Sequence, residues 1–99
     1  MKTKIITVAE GDRDRVQRAD IERSARRDIL VYLMEQGDNI QISPERRAEY
    51  QKEYDDKYFE FEQAKAYIEK EYVMPAVNNK AVNWSLDYAT CEVTITYDE

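Results

Sequence analysis

Ser43-Pro44-Glu45-Arg46-Arg47-Ala48-Glu49-Tyr50-Gln51-Lys52-Glu53-Tyr54-Asp55-Asp56-Lys57-Tyr58-Phe59-Glu60-Phe61-Glu62-Gln63-Ala64-Lys65-Ala66-Tyr67-Ile68-Glu69-Lys70-Glu71-Tyr72 carries most of the chain's aromatic residues and half of its excess acid. It reads as one helix. Ser43 is a good N-cap, because its hydroxyl can accept a bond from a free amide of the first turn. Pro44 stands at the first helical position, where a missing N–H costs nothing. Glu45 follows at the positive end of the helix dipole. No Gly or Pro interrupts until Pro75, which cannot continue a helix and restricts Met74 before it. Roughly 29 residues make about 43 Å of helix, long for so small a chain.

The two sides of this helix differ. Tyr50, Tyr54, Tyr58, Phe61, Ala64, Ile68 and Tyr72 recur at spacings of three and four, so they form the stripe predicted to face the core. Glu45, Glu49, Glu53, Asp56 and Glu60 fall within about 80° of one another on a helical wheel, to one side of that stripe. No Lys or Arg between positions 45 and 60 lies inside that arc. Successive carboxylates are roughly 5–6 Å apart along the axis, close to the phosphate spacing of a nucleic-acid strand. Any solvated acidic helix face shares that spacing. Phe59 and Tyr67 lie off the stripe and beside the acids. They read either as binding hot spots, the role of aromatics exposed among charges, or as further core contacts.

The 99 residues allow one domain, read here as 1–99, and 42% hydrophobic residues suffice for a modest core. No apolar run nears 18 residues, so no membrane span is expected, and the N-terminus lacks the apolar region of a signal peptide. The lone Cys91 excludes an internal disulfide framework and fits a reducing cytoplasm. In its strand context it reads as a small packed hydrophobe. The net charge of −6 disfavours nucleic acid as a direct ligand and favours a basic partner. Histidine is absent, which removes the commonest general base and a major metal ligand.

The flanking sequence supplies the rest of the fold. Thr3–Ala9 is rich in β-branched residues and reads as a strand, with Ile6 and Val8 on one face and Ile5 and Thr7 on the other. Asp12 is a plausible cap for a first helix over Asp14–Gln36, its opening turns charged enough to fray. The stripe predicted to be buried there is Ile21, Ala25, Ile29, Tyr32 and Leu33, widened by Leu30 and Met34, with Gly37 closing the helix. Its arginines (Arg13, Arg15, Arg18, Arg23, Arg26 and Arg27) spread around the wheel and balance the acids. They read as a self-paired solvated face, or as a local phosphate-binding patch. Asp38-Asn39 signals a turn, and Ile40 and Ile42 a short extended segment. Pro75 to Lys80 reads as a loop, with Asn78-Asn79 suited to left-handed backbone. Val82, Trp84 and Leu86 alternate with polar or small residues, as do Cys91, Val93, Ile95 and Tyr97, which predicts a hairpin across Asp87–Thr90. The class is therefore α+β, in the order β-α-α-β-β: a three-stranded antiparallel sheet packed against two helices, the second one long.

Catalytic signatures are missing. Gly11 and Gly37 are the only glycines, so there is no Gly-rich phosphate loop. There is no Cys/His cluster, no EF-hand spacing and no Ser/His pair. Paired carboxylates on a solvated helix lack the cleft that would drive their pKa values apart. The expectation is a binding protein with no catalytic residues, no cofactor and no metal.

The layout Glu45-x3-Glu49-x3-Glu53-x2-Asp56-x3-Glu60, on one helix of a small acidic His-free domain, resembles the small phage-encoded anti-CRISPR proteins of the DNA-mimic kind. Phage antirestriction proteins are a closely related idea. The resemblance covers the charge layout of about a third of the chain, and no sequence motif accompanies it. It implies a protein or ribonucleoprotein partner with a basic DNA-binding groove, such as a CRISPR surveillance complex, met in the host cytoplasm. It places Glu45, Glu49, Glu53, Asp56, Glu60, Phe59 and Tyr67 at the contact. The chain's −6 is milder than strong mimics carry, and the first-helix arginines complicate a simple duplex imitation. Two other readings stay open. One is a structural or assembly subunit that dimerises or docks through its long aromatic-striped helix. The other is an antitoxin or immunity protein that neutralises a basic nuclease.

Overall fold

The β-branched and aromatic runs at the two ends of the chain meet in one sheet. The computed structural model describes residues 1–37 and 41–98. Strand β1 (Lys2–Thr7) and strand β2 (Ala81–Asp87) both pair antiparallel with β3 (Glu92–Tyr97), giving the order β1-β3-β2. Between them run helix α1 (Glu10–Gln36) and helix α2 (Pro44–Ile68). The order is β-α-α-β-β, as read from the sequence. The register lines up Ile6 with Val93 and Leu86, and Lys4 with Ile95 and Trp84. Because side chains alternate along a strand, Val93 and Ile95 point to one face and are fully buried, while Glu92 and Thr94 point to the other and are exposed. Ile5 is exposed on that outer face and Val8 is buried, the faces expected of them. Val8 lies just past β1, yet its N–H still bonds the Cys91 carbonyl at 2.9 Å. Asn78 and Asn79 have φ of 54° and 63°, the left-handed backbone their side chains tolerate.

Four details differ from the sequence reading. Helix α1 starts at Glu10, not Asp14, and its N-cap is Ala9 without a side-chain bond. Its charged first turns are tied down rather than frayed. The Tyr72 hydroxyl donates to Asp12 at 2.5 Å, and the Arg13 guanidinium donates to the Tyr88 carbonyl at 2.7 Å. Helix α2 keeps the predicted Ser43 cap, whose hydroxyl accepts from the Arg46 N–H at 3.1 Å. Its far end does not stop before Pro75. A π turn over Glu69–Val73 carries the chain into a last helical turn, Met74–Ala76, that includes the proline. In regular α geometry the Pro75 ring would crowd the Glu71 carbonyl; the wider turn, in which the Met74 N–H reaches the Glu69 carbonyl, avoids this. Cys91 is buried as expected but precedes β3 in the turn, at φ 61°. The expected turn at Asp38-Asn39, and Ile40, lie outside the described residues; Ile42 is half-buried.

The fourth difference is the largest. Ile21, Ala25, Ile29 and Tyr32, predicted to face the core, are exposed, Ile21 at 62%. The side of α1 that meets α2 is instead Val16, Ala19, Arg23, Arg26, Leu30 and Leu33, all buried or half-buried. These recur at alternating spacings of three and four. So do their counterparts on α2, Tyr50, Tyr54, Lys57, Phe61, Ala64 and Ile68. Lys57 takes a place in this row, and Tyr58, expected in the stripe, is turned out to 44% exposure.

The apolar core sits at one end. Val8, Val16, Ala64, Ile68, Val73, Val77, Cys91, Val93 and Ile95 cluster between the sheet, the start of α1 and the end of α2. Beyond them the two antiparallel helices continue without the sheet, which makes the molecule 54 Å long but only 27 by 20 Å across. The remaining sixteen or so residues of each helix form an arm of roughly 24 Å.

Candidate partner-binding face

Helix α2 carries the candidate residues along the arm. Glu45, Glu49, Glu53, Asp56 and Glu60 are all exposed on it. Three have partners on their own helix: Glu49 with Arg46 at 3.2 Å, Asp56 with Lys52 at 2.9 Å and Glu60 with Lys57 at 3.4 Å. Arg46 and Lys52 flank the acidic arc on the wheel, and their side chains reach into it. Among the described residues Glu45 and Glu53 make no ion pair. Exposed pairs of this kind are screened by salt and hold their geometry weakly. The Asp56 carboxylate, by its hydrogen bond, raises the pKa of the Lys52 ammonium. The row is therefore an acidic edge lightly neutralised by its own cations, with two carboxylates left free.

Phe59 points out of the arm at 63% exposure, with no ring or cation contact among the described residues. Tyr67 is 41% exposed and lies nearer the sheet, where the Arg15 guanidinium sits 5.7 Å from its ring centre. The structure thus gathers the acids and Phe59 on the arm and sets Tyr67 apart, partly occupied by α1. Glu60 turns toward α1 and lines a cleft of about 360 Å³ with Gly11, Asp14, Arg15, Arg18, Ala19 and Glu22.

Behind this face the helices are joined by charge as well as by apolar packing. Lys57 bridges to Glu22 on α1 at 3.0 Å, and this hydrogen bond lowers the pKa of Glu22. Arg23 pairs with Asp20 at 2.5 Å, and its guanidinium lies 4.7 Å from the centre of the Phe61 ring. Asp20 also accepts from the Tyr88 hydroxyl at 3.0 Å, which ties α1 to the β2–β3 turn. Burial alone would push the Asp20 carboxyl up; the hydrogen bonds from Arg23 and Tyr88 outweigh it and hold the pKa below the usual value. Burial, reinforced by Asp20, pushes the Tyr88 hydroxyl up to about 12. The sequence reading missed this joint. Its one local trace is the i, i+3 spacing of Asp20 and Arg23; Tyr88 is remote in sequence.

The carboxylates with a shifted pKa, Asp20 and Glu22, both move down, and neither is poised as a general acid. Among the described residues no three His, Cys, Asp or Glu side chains are arranged to hold a metal ion, and no helix is long and apolar enough to cross a membrane. Comparison with known proteins finds no matching family model, no matching curated protein and no matching solved structure.

Proposed function

We propose that the protein is an inhibitor that lays its two-helix arm into a basic, nucleic-acid-binding groove of a partner and so blocks DNA binding there. The observation that carries this reading is the row Glu45–Glu49–Glu53–Asp56–Glu60, exposed along a helix that projects past the core. Carboxylates presented at helical spacing offer a basic groove the charges it is built to bind. The internal partners of Glu49 and Asp56 are exposed, so a partner's arginines can exchange with them, whereas Lys57 beside Glu60 is half-buried and also held by Glu22. Phe59 supplies the apolar anchor that charge alone lacks. A groove of this kind occurs in RNA-guided surveillance complexes, the partner class implied by the likeness of the charge layout to anti-CRISPR proteins. A basic nuclease would meet the same face by the same electrostatics.

The experiment is affinity capture from a bacterial lysate, using the wild-type chain and the variant Glu49→Gln/Glu53→Gln/Asp56→Asn/Glu60→Gln. The proposal expects the wild type to retain a nucleic-acid-binding protein that duplex DNA releases, and the variant to retain none. Identical capture by both would remove the acidic row from the mechanism.

An assembly subunit is the second reading: α1 and the core cover most of the aromatic stripe of α2, so the uncovered apolar residues of α1 take its place as the docking surface. In that case the partner contacts α1, and the four neutral substitutions on α2 leave capture unchanged.

A further inference from the structure

We propose that the cleft between the first half of α1 and the middle of α2 binds a small phosphorylated, hydroxyl-bearing molecule of the sugar-phosphate class. At about 360 Å³ the cleft lies in the lower part of the size range of small-molecule sites. It stays open because α1 presents no side chain there at Gly11 and only a methyl group at Ala19. A Cβ added at Gly11 would meet nothing within 4 Å.

The charges lining the cleft are unevenly matched. Each of its three carboxylates already has a cation: Asp14 pairs with Arg13 at 2.7 Å, and Glu22 and Glu60 share Lys57 at 3.0 and 3.4 Å. None of them pairs with Arg15 or Arg18, the two guanidiniums that line the same cleft. Arg15 lies instead 5.7 Å from the centre of the Tyr67 ring. Among the described residues Arg18 makes no hydrogen bond or ion pair. The Lys57 hydrogen bond does most to lower the pKa of Glu22, and Arg18 adds a lesser share. With four cations to three carboxylates, the cleft is positive in a chain whose net charge is −6. Arg15 and Arg18 stand three residues apart on one side of α1, with about 5–6 Å between their Cβ atoms. Two guanidiniums so placed offer more donors than a single carboxylate takes up. They suit a phosphomonoester, which brings close to two negative charges and three terminal oxygens. One turn farther along, about 6 Å on the helix axis, Glu22 and Glu60 each spend only Oε2 on Lys57. Their Oε1 atoms make no hydrogen bond among the described residues and are left as acceptors for hydroxyl groups on the body of the ligand. Of the acidic row only Glu60 takes part, so this site is tested without reference to what the row binds.

The test is a titration of the full chain with ribose 5-phosphate, followed by its amide chemical shifts in low salt at about pH 7.5, where the phosphate is nearly a dianion. Saturable shifts with a Kd below about 1 mM are expected. Inorganic phosphate, which lacks the hydroxyl-bearing body, should bind at least about tenfold more weakly, and so should the dicarboxylate succinate. Arg15→Gln/Arg18→Gln should weaken ribose 5-phosphate by at least about tenfold and leave the helical circular dichroism unchanged, because both side chains are exposed. Gly11→Leu should weaken it as much while removing no charge, by filling the cleft. Arg47→Gln, on α2 and outside the cleft, should leave the Kd as it is. Absence of saturable binding, or succinate or inorganic phosphate bound as tightly as ribose 5-phosphate, would overturn the proposal. So would a Kd that survives loss of both arginines or the leucine at position 11, or one that Arg47→Gln weakens equally.

Discussion

Removing Asp20 tests whether the arm is held to the core through the charged joint. Arg23 has a side chain only 16% exposed, so Asp20→Ala leaves a poorly hydrated guanidinium without its carboxylate and strips the Tyr88 hydroxyl of its acceptor. Breaking a fully buried pair from one side costs about 3–5 kcal/mol. The remaining exposure of Asp20, 27%, and the surviving contact of Arg23 with Phe61 bring the expected cost to about 2–3 kcal/mol. At about 4–8 °C per kcal/mol for a domain of this size, the melting temperature falls by about 10–20 °C. Arg23→Met should cost less, about 1.5 kcal/mol, because it also removes the Arg23 Nε–H, which lacks a hydrogen-bond partner, and keeps methylenes against Phe61. The double variant should lose only about 2–2.5 kcal/mol, since neither charge is then stranded. The assay is urea unfolding followed by circular dichroism, with equal slopes required of all four proteins. Additivity within about 0.5 kcal/mol would refute the coupling and with it the joint. Acid should weaken the wild type through the same pair. Asp20 has a lowered pKa in the folded state, so its contribution is present above the unfolded value near 3.9 and is lost as pH falls through the folded one.

One further outcome follows from the same contacts and another from the apolar core. Tyr88, pushed up to about 12, should ionise as a late step in the phenolate absorbance of the folded protein, and Tyr88→Phe should abolish that step. Its raised value favours the folded state below pH about 10, and that contribution is lost as pH rises toward 12. A titration without a late step would contradict the Tyr88–Asp20 contact. Ile68→Ala, at a fully buried site, should cost about 3–4 kcal/mol, whereas Ile21→Ala should stay within about 1 kcal/mol. Equal losses would restore Ile21 to the core.

The hairpin was legible because Val93 and Ile95 alternate with Glu92 and Thr94 and one face is buried, a pattern that holds one register from Asn83 to Asp87, though not the shift between Ala81 and Asn83. The start of α2 was legible because Ser43 and Pro44 are local signals with local consequences. The buried side of α1 was not. A helical wheel ranks sides by hydropathy and selects Ile21, Ile29 and Tyr32. The true contact with α2 contains Arg23 and Arg26, whose charges are met by Asp20 and by the Glu22 carbonyl, and Arg23 by the Phe61 ring as well. Those compensations come from across the pair and from within the turn, and hydropathy does not register them. Lys57 displaced Tyr58 for a similar reason, since its charge finds Glu22 on α1. The acidic row was read from sequence, but the reach of Arg46 and Lys52 into it depends on rotamers that a wheel leaves free.

The claim at the centre of the account is that the acidic row of α2 stands where nucleic acid would otherwise lie. The direct measurement is an equilibrium competition in which this protein is titrated into the captured partner loaded with labelled duplex DNA, at two salt concentrations. The account predicts complete displacement of the DNA, weaker at the higher salt, and none by Glu49→Gln/Glu53→Gln/Asp56→Asn/Glu60→Gln. A stable ternary complex, in which the partner holds DNA and this protein at once, would contradict it.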